Sequence, residues 1–173
     1  MKNGETVGST EFLNGVFLRP MTKADVGIVN AFFDAMGPES RAIFNRTDYQ
    51  RKWALRFCEN PNAKPVRRYW LAEHEGRMAG FVFLFDWNTG IPGLGIGVRD
   101  DLQGLHLGDR LMDLAIGEAR RAGKGGIRLT THVANLRGQM LYEKKGFKCM
   151  GQYTNGLEVF YLLWFKNDTA PSL

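Results

Sequence analysis

The sequence predicts an α/β (α+β) domain built on a mixed, mostly antiparallel central sheet flanked by about four helices. Two apolar runs, Arg68 to Glu73 and Met78 to Asp86, face each other across Glu75-Gly76, as the arms of an antiparallel hairpin do. Later the period changes: every fourth residue is apolar from Leu107 to Ala119, then Ile127, Leu129, Thr131 and Val133 alternate with Arg128, Thr130 and His132. Strands that first pair as hairpins and then connect through helices give a mixed sheet with helices on its faces. With 44% apolar and 24% charged residues in a chain of 173, one core can be filled, which excludes a disordered or fibrous chain. A single domain is expected over 16–168, with 1–15 a flexible segment and 169–173 a loose tail.

Each element has its own signal. Val16 to Arg19 reads as a short strand, and Thr22 as an N-cap with Asp25 three residues on. Val26, Val29, Phe33 and Met36 recur at helical spacing until Gly37-Pro38. A second helical pattern runs from Tyr49 to Glu59 and closes at Asn60-Pro61-Asn62. After the hairpin, Ile91 to Val98 is a strand, 108–122 an amphipathic helix ended by Gly123, and Ile127 to Val133 a strand. Asn135 caps a helix that ends at Gly146, and Phe147 to Tyr153 and Leu157 to Phe165 close the sheet.

Composition removes several classes. The longest apolar runs, Phe81 to Phe85 and Tyr161 to Phe165, are far below the roughly 20 residues that cross a bilayer, so no membrane partner is expected. The first fifteen residues lack the apolar stretch of a secretory signal, which points to a cytoplasmic protein. Cys58 and Cys149 match no zinc or redox spacing, so no metal is expected and the thiols read as reduced. The net charge of +5 is concentrated in 99–148, where ten basic residues meet six acidic ones. That bias suits phosphate-bearing ligands; Arg120, Arg121, Lys124 and Arg128 are interleaved with Asp109, Asp113 and Glu118, which argues against a nucleic-acid surface.

Six glycines fall within 90–108, and the chemistry starts there. Gly95-Ile96-Gly97-Val98 ends a strand, and Gln103-Gly104-Leu105-His106-Leu107-Gly108 leads into a helix. A strand turning through glycines into a helix N-terminus aims unpaired N–H groups and the positive end of the helix dipole at one point, which suits a phosphate. A ligand-free structural turn would carry the same glycines. Seven residues separate Asn135 from Tyr142, about two helical turns, so amide and phenol share one face of one helix.

Together these segments resemble the GNAT superfamily of acetyl-CoA-dependent N-acetyltransferases. The shared pattern is a strand ending in Val, a Q/R-x-x-G-x-G/A loop opening a helix, a further strand, and an Asn-initiated helix ending Leu-Tyr-x-Lys-x-Gly-Phe, here Leu141 to Phe147. The specific part spans 94–147. The resemblance implies acetyl-CoA as co-substrate and an amine as acceptor. Ile96, Gly97 and Val98 should splay from the neighbouring strand toward the pantetheine arm and thioester carbonyl. Gln103, Gly104, Leu105, His106, Leu107, Gly108 and Asp109 should hold the pyrophosphate. Asn135 should contact the cofactor, and Tyr142 should protonate the leaving thiolate, a step that suits a phenol neutral at pH 7. A packed aromatic is the competing role for Tyr142. Homodimers are common in that family, although no segment reads as an interface.

Two departures stand out. His106 occupies the place of the family's middle glycine, so its side chain should either crowd the pyrophosphate or bond to it, and weakened acetyl-CoA binding is expected. The usual glutamates are missing: Pro92 and Leu94 stand on the strand before the loop, and Thr130 on the later one. A base matters because only about one lysine-like amine in a few thousand is neutral at pH 7. Asp86 and His132 are the replacements available, each with an ordinary structural role as turn former and packed imidazole, and a water chain is the third route. The base is unassigned. Met36 to Arg41 should shape the acceptor pocket. The sequence thus points to an N-acetyltransferase acting on a primary amine of a small molecule or protein, with an acyl-CoA-binding sensor or subunit as the alternative.

Overall fold

The computed structural model describes residues 4–44, 47–59 and 66–165. Its elements run α1 (Gly4–Asn14), β1 (Phe17–Pro20), α2 (Val26–Asp34), α3 (Pro38–Ile43), α4 (Thr47–Glu59), β2 (Arg67–His74), β3 (Arg77–Phe85), β4 (Gly93–Val98), α5 (Leu107–Arg121), β5 (Gly126–His132), α6 (Leu136–Lys144), β6 (Lys148–Gln152) and β7 (Glu158–Trp164). Seven strands form one sheet in the order β1-β2-β3-β4-β5-β7-β6. Every neighbouring pair is antiparallel except β4 and β5. The β2–β3 hairpin turns through Glu75 (φ 51°) and Gly76 (φ 70°), two left-handed residues whose twist matches the flanking strands.

Side-chain alternation sends the two halves of each central strand into different cores. Trp70, Ala72, Val82 and Leu84 point to one face, where α5 lays Leu107, Leu111, Met112, Ala115 and Ala119 against them. Tyr69, Leu71, Phe81 and Phe83 point to the other, beneath Val29, Phe32 and Phe33 of α2 and Ala54 and Cys58 of α4. Both cores are needed because β2 and β3 are apolar on both faces, so neither can face water.

Three of the β4 glycines have an explanation the sequence did not suggest. A Cβ on Gly93, Gly95 or Gly97 would stand 2.1, 2.2 or 2.7 Å from the rings of Phe85, Phe83 and Phe81. The bare strand is the bed for an aromatic ladder from β2 and β3, in which Tyr69, Phe83 and Phe81 stack at 4.9 and 5.9 Å. On that face the glycines make room for rings.

Two helices go beyond the expected four, giving six α-helices among the described residues. Within the segment expected to be flexible, α1 occupies Gly4–Asn14. Phe12 and Leu13 pack on the α5-side core, Phe12 lies 4.8 Å from the His74 ring, and Arg110 donates to the Leu13 carbonyl at 2.6 Å. Gly37-Pro38 ends α2 as expected but also opens α3, with Pro38 in the first turn, where its missing N–H costs nothing. The expected stop at Asn60-Pro61-Asn62 and the tail at 169–173 lie outside the described residues.

Among the described residues no helix is long and apolar enough to cross a membrane. The four cations of the basic segment are dispersed: Arg121 pairs with Glu118, Arg128 with Asp86, Lys124 caps the Trp87 and Thr89 carbonyls, and Arg120 lies over Phe165.

Candidate functional site

β4 and β5 start together and then part. Their parallel ladder consists of Gly93 opposite Arg128, with the Arg128 N–H donating to the Pro92 carbonyl at 3.0 Å. From Leu94 onward β4 keeps its antiparallel pairing with β3 through to Val98 and has no register partner on β5. The edge that carries Ile96, Gly97 and Val98 therefore lines a widening gap in the middle of the sheet. A strand edge without a partner presents main-chain donors and acceptors to whatever enters.

The gap opens toward the mouth of α5. After β4 a short 3-10 turn, Asp100–Leu102, leads to Gln103 and the glycine loop. Gly104 has φ +86° and faces open space. His106, the residue before α5, also has φ 62°, a left-handed conformation that costs a non-glycine residue roughly 1–2 kcal/mol. The loop thus keeps a backbone path that glycine adopts freely, and the exposed imidazole turns toward Asp109, Nδ1 to Oδ2 3.5 Å. Among the described residues the first α5 amide taken by a main-chain carbonyl is that of Arg110, to His106 at 3.4 Å. Among the described residues no main-chain carbonyl takes the amides of Leu107, Gly108 or Asp109, which stand at the positive end of the helix dipole.

Charge at this mouth is balanced from α6. Burial alone would raise the Asp109 carboxyl, but hydrogen bonds from Lys144 (2.7 Å) and Lys145 (3.2 Å) outweigh it and hold the group below its ordinary value. Lys145 also pairs with Asp113 at 2.7 Å. Two links spanning the site escaped the sequence reading. Arg137 reaches across from α6 and donates to the Gln103 side chain at 2.5 Å. Asp100 accepts from the Gly37 N–H at 2.8 Å, the Ser40 hydroxyl at 2.5 Å and the Gln103 amide at 3.3 Å, which fastens the α2–α3 corner to the glycine loop. A cleft of about 500 Å³, lined by Ile28, Phe32, Met78, Arg99 and Asp100 among others, opens beside that clamp. Apart from the Gln103–Asp100 pair, these partners lie 34 to 63 residues from one another, beyond any spacing rule.

Asn135 and Tyr142 sit at the start and near the end of α6. Asn135 caps α6 by accepting from the Gly138 N–H at 3.0 Å, and its amide donates to Thr131 Oγ1 at 2.8 Å. Tyr142 is 6% exposed, and burial pushes its phenol up to about 12, with the Thr131 hydroxyl bond a smaller opposing effect. Its ring packs 5.9 Å from Tyr161 and 6.2 Å from Phe147. Burial therefore keeps the phenol neutral at physiological pH, and its ring is held against Tyr161 and Phe147.

A strand pair that splays beside a helix mouth is a shared architecture, and the family model described as Acetyltransferase (GNAT) family matches residues 29–147, well over half of the chain. The chain belongs to the GNAT acetyltransferase family. Among solved structures it is similar to yncA from Salmonella typhimurium, described with its cofactor acetyl-CoA, at 23% identity and TM-score 0.69, covering 92% of this chain and 99% of that one. It is also similar to the PaiA N-acetyltransferase of Thermoplasma acidophilum in complex with coenzyme A (17%, TM-score 0.70, 87% and 99% covered). A GNAT-family acetyltransferase of Staphylococcus aureus Mu50 superposes with TM-score 0.71 at 18% identity, with the same coverage. At these identities the likeness establishes the fold. No curated protein matches the sequence.

Within this GNAT chain, both proposed replacements for the missing glutamate are occupied. Asp86, in a left-handed turn conformation (φ 52°), is ion-paired with Arg128. His132 uses Nδ1 to accept the Ala134 N–H at 3.1 Å, so a neutral ring carries its proton on Nε2 and offers no second lone pair. The β5–β7 register sets Glu158 opposite His132. Both alternate with the buried Thr131 and Tyr161, so Glu158 lies on the same sheet face as Thr130. This carboxylate was not weighed from sequence because only the register brings it beside β5. Among the described residues no group of three or more His, Cys, Asp or Glu is placed to hold a metal ion.

Proposed function

We propose that this GNAT chain transfers an acetyl group from acetyl-CoA directly to a primary amine of a small molecule or a protein. The observation that carries the reading is that β4 loses its β5 partner from Leu94 onward and leads through the glycine loop into α5, whose first amides meet no main-chain carbonyl among the described residues. In this reading Ile96, Gly97 and Val98 take the pantetheine arm and thioester carbonyl, and the loop from Gln103 to Asp109 takes the pyrophosphate. Asn135 borders the arm. The bound co-substrate supplies the activated acyl group.

The protein's part is to position the amine against the thioester and to stabilise the developing oxyanion with main-chain N–H groups. The amine nitrogen bonds to the carbonyl carbon, the C–S bond breaks, and the thiolate takes a proton from the Tyr142 phenol. The ammonium proton leaves through water toward Glu158. Occupation of Asp86 and His132 favours the competing acyl-CoA sensor, because it leaves no base in direct reach.

Release of free CoA from acetyl-CoA, followed across a panel of amines, decides between the two. Turnover with at least one amine is expected; saturable acetyl-CoA binding without release by any would replace the enzyme with the sensor.

A further inference from the structure

One register row crosses the narrow end of the gap on the face toward α4: Arg67 on β2, Phe85 on β3, Gly93 on β4 and Arg128 on β5. Gly93 has no side chain, and the Phe85 ring fills its place. The guanidinium carbon of Arg67 lies 5.7 Å from the centre of that ring, and that of Arg128 lies 5.2 Å from it. Arg67 also stacks over Trp53 at 4.2 Å, and Arg56 adds a third guanidinium at 5.4 Å from Trp53.

The two arginines of the row differ in what they hold. Arg128 is neutralised by Asp86. Arg67, half-buried, has no carboxylate within ion-pair distance among the described residues, and among them its side chain donates to the Tyr69 hydroxyl at 3.5 Å. Aromatic stacking satisfies the faces of a guanidinium and leaves its in-plane donors, which match the two oxygens of a carboxylate. A partly desolvated cation whose in-plane donors meet no carboxylate among the described residues, on the row that crosses the narrow end of the gap, is set up for an anion that arrives with the substrate.

We infer that Arg67, between Trp53 and Phe85, anchors a carboxylate on the acceptor, which makes the acceptor an amino acid. This inference rests on the transferase reading above. Gly95 and Gly97 follow Gly93 at about 7 and 13 Å along the strand, toward the open end of the gap. An acceptor held at the Gly93 row thus presents its amine several bonds from its carboxylate.

The test uses the full chain with acetyl-CoA and three matched amines: 5-aminovalerate, its amide, and n-pentylamine. Wild type should prefer the acid over the amide by about 10- to 100-fold in kcat/KM, the range expected for a charge-assisted pair. Arg67→Met should bring that ratio toward one, and Arg67→Lys should retain part of it, with melting temperature and acetyl-CoA affinity showing that each variant is folded. Equal use of acid and amide by wild type, or an unchanged ratio in Arg67→Met, overturns the inference. Should no amine release CoA, the transferase reading fails by itself. Calorimetry of 5-aminovalerate against the CoA-loaded protein then decides the subsite: saturable binding lost in Arg67→Met upholds it, and absence of binding overturns it.

Discussion

Along its β3 edge, β4 is paired from Gly93 to Val98 and its glycines lie under phenyl rings; along its β5 edge the pairing stops after Gly93. One six-residue strand is thus sealed on one side and open on the other. The glycines that drew attention to this strand serve the sealed side. What makes the open side receptive is the absence of a neighbouring strand, which no residue type in β4 announces.

The sealed edge gives the largest expected effect. Phe83→Ala should cost about 4 kcal/mol in urea unfolding, a buried ring lost from a close-packed ladder. Gly95→Ala, which drives a methyl into that ring, should also destabilise, by about 2 kcal/mol. The double variant should lose less than the sum, because the methyl then fills space the ring has left. Additive losses would mean the two groups do not share that space.

On the open edge, Tyr142→Phe should lower kcat by about 100-fold while acetyl-CoA affinity is retained, as expected for loss of a general acid. Undiminished turnover would leave Tyr142 with a packing role. Asp100→Ala, which frees the α2–α3 corner from the loop, should cost about 10-fold in kcat/KM for the amine. Acetyl-CoA affinity, read calorimetrically, should change less; an equal fall in both would place Asp100 in the cofactor loop alone.

The smallest effect concerns pH. The Asp109 carboxyl lies below its ordinary value in the folded chain, so its contribution is fully present above the unfolded value of about 3.9 and is lost as pH falls through the lower folded value. Asp109→Asn should flatten the acid limb of a melting-temperature profile. An unchanged limb would mean the lysine contacts are not formed in solution.

Local signals accounted for most elements, because hydrophobic period, capping residues and turn glycines act within a few residues. Asn135 and Tyr142 were legible for the same reason: one helix sets both. The first helix was missed because Phe12 and Leu13 are its few anchors in a polar, glycine-bearing stretch, and α3 because Gly37-Pro38 reads as a stop while also starting a turn. Asp100, Arg137, Glu158 and Arg67 face partners that only the register or a loop crossing brings near. The base candidates Asp86 and His132 were named by residue type, and the structure shows each already engaged.

The strand order has a consequence for how the molecule is made. β7 sits between β5 and β6, so β5 lacks its antiparallel neighbour until residues 158–164 have left the ribosome. The wall of the gap nearest Tyr142 is then the last part of the sheet to close, and pairings so distant in sequence are slow to form. A nascent chain stalled short of β7 would bury the hairpin side and leave the other half waiting.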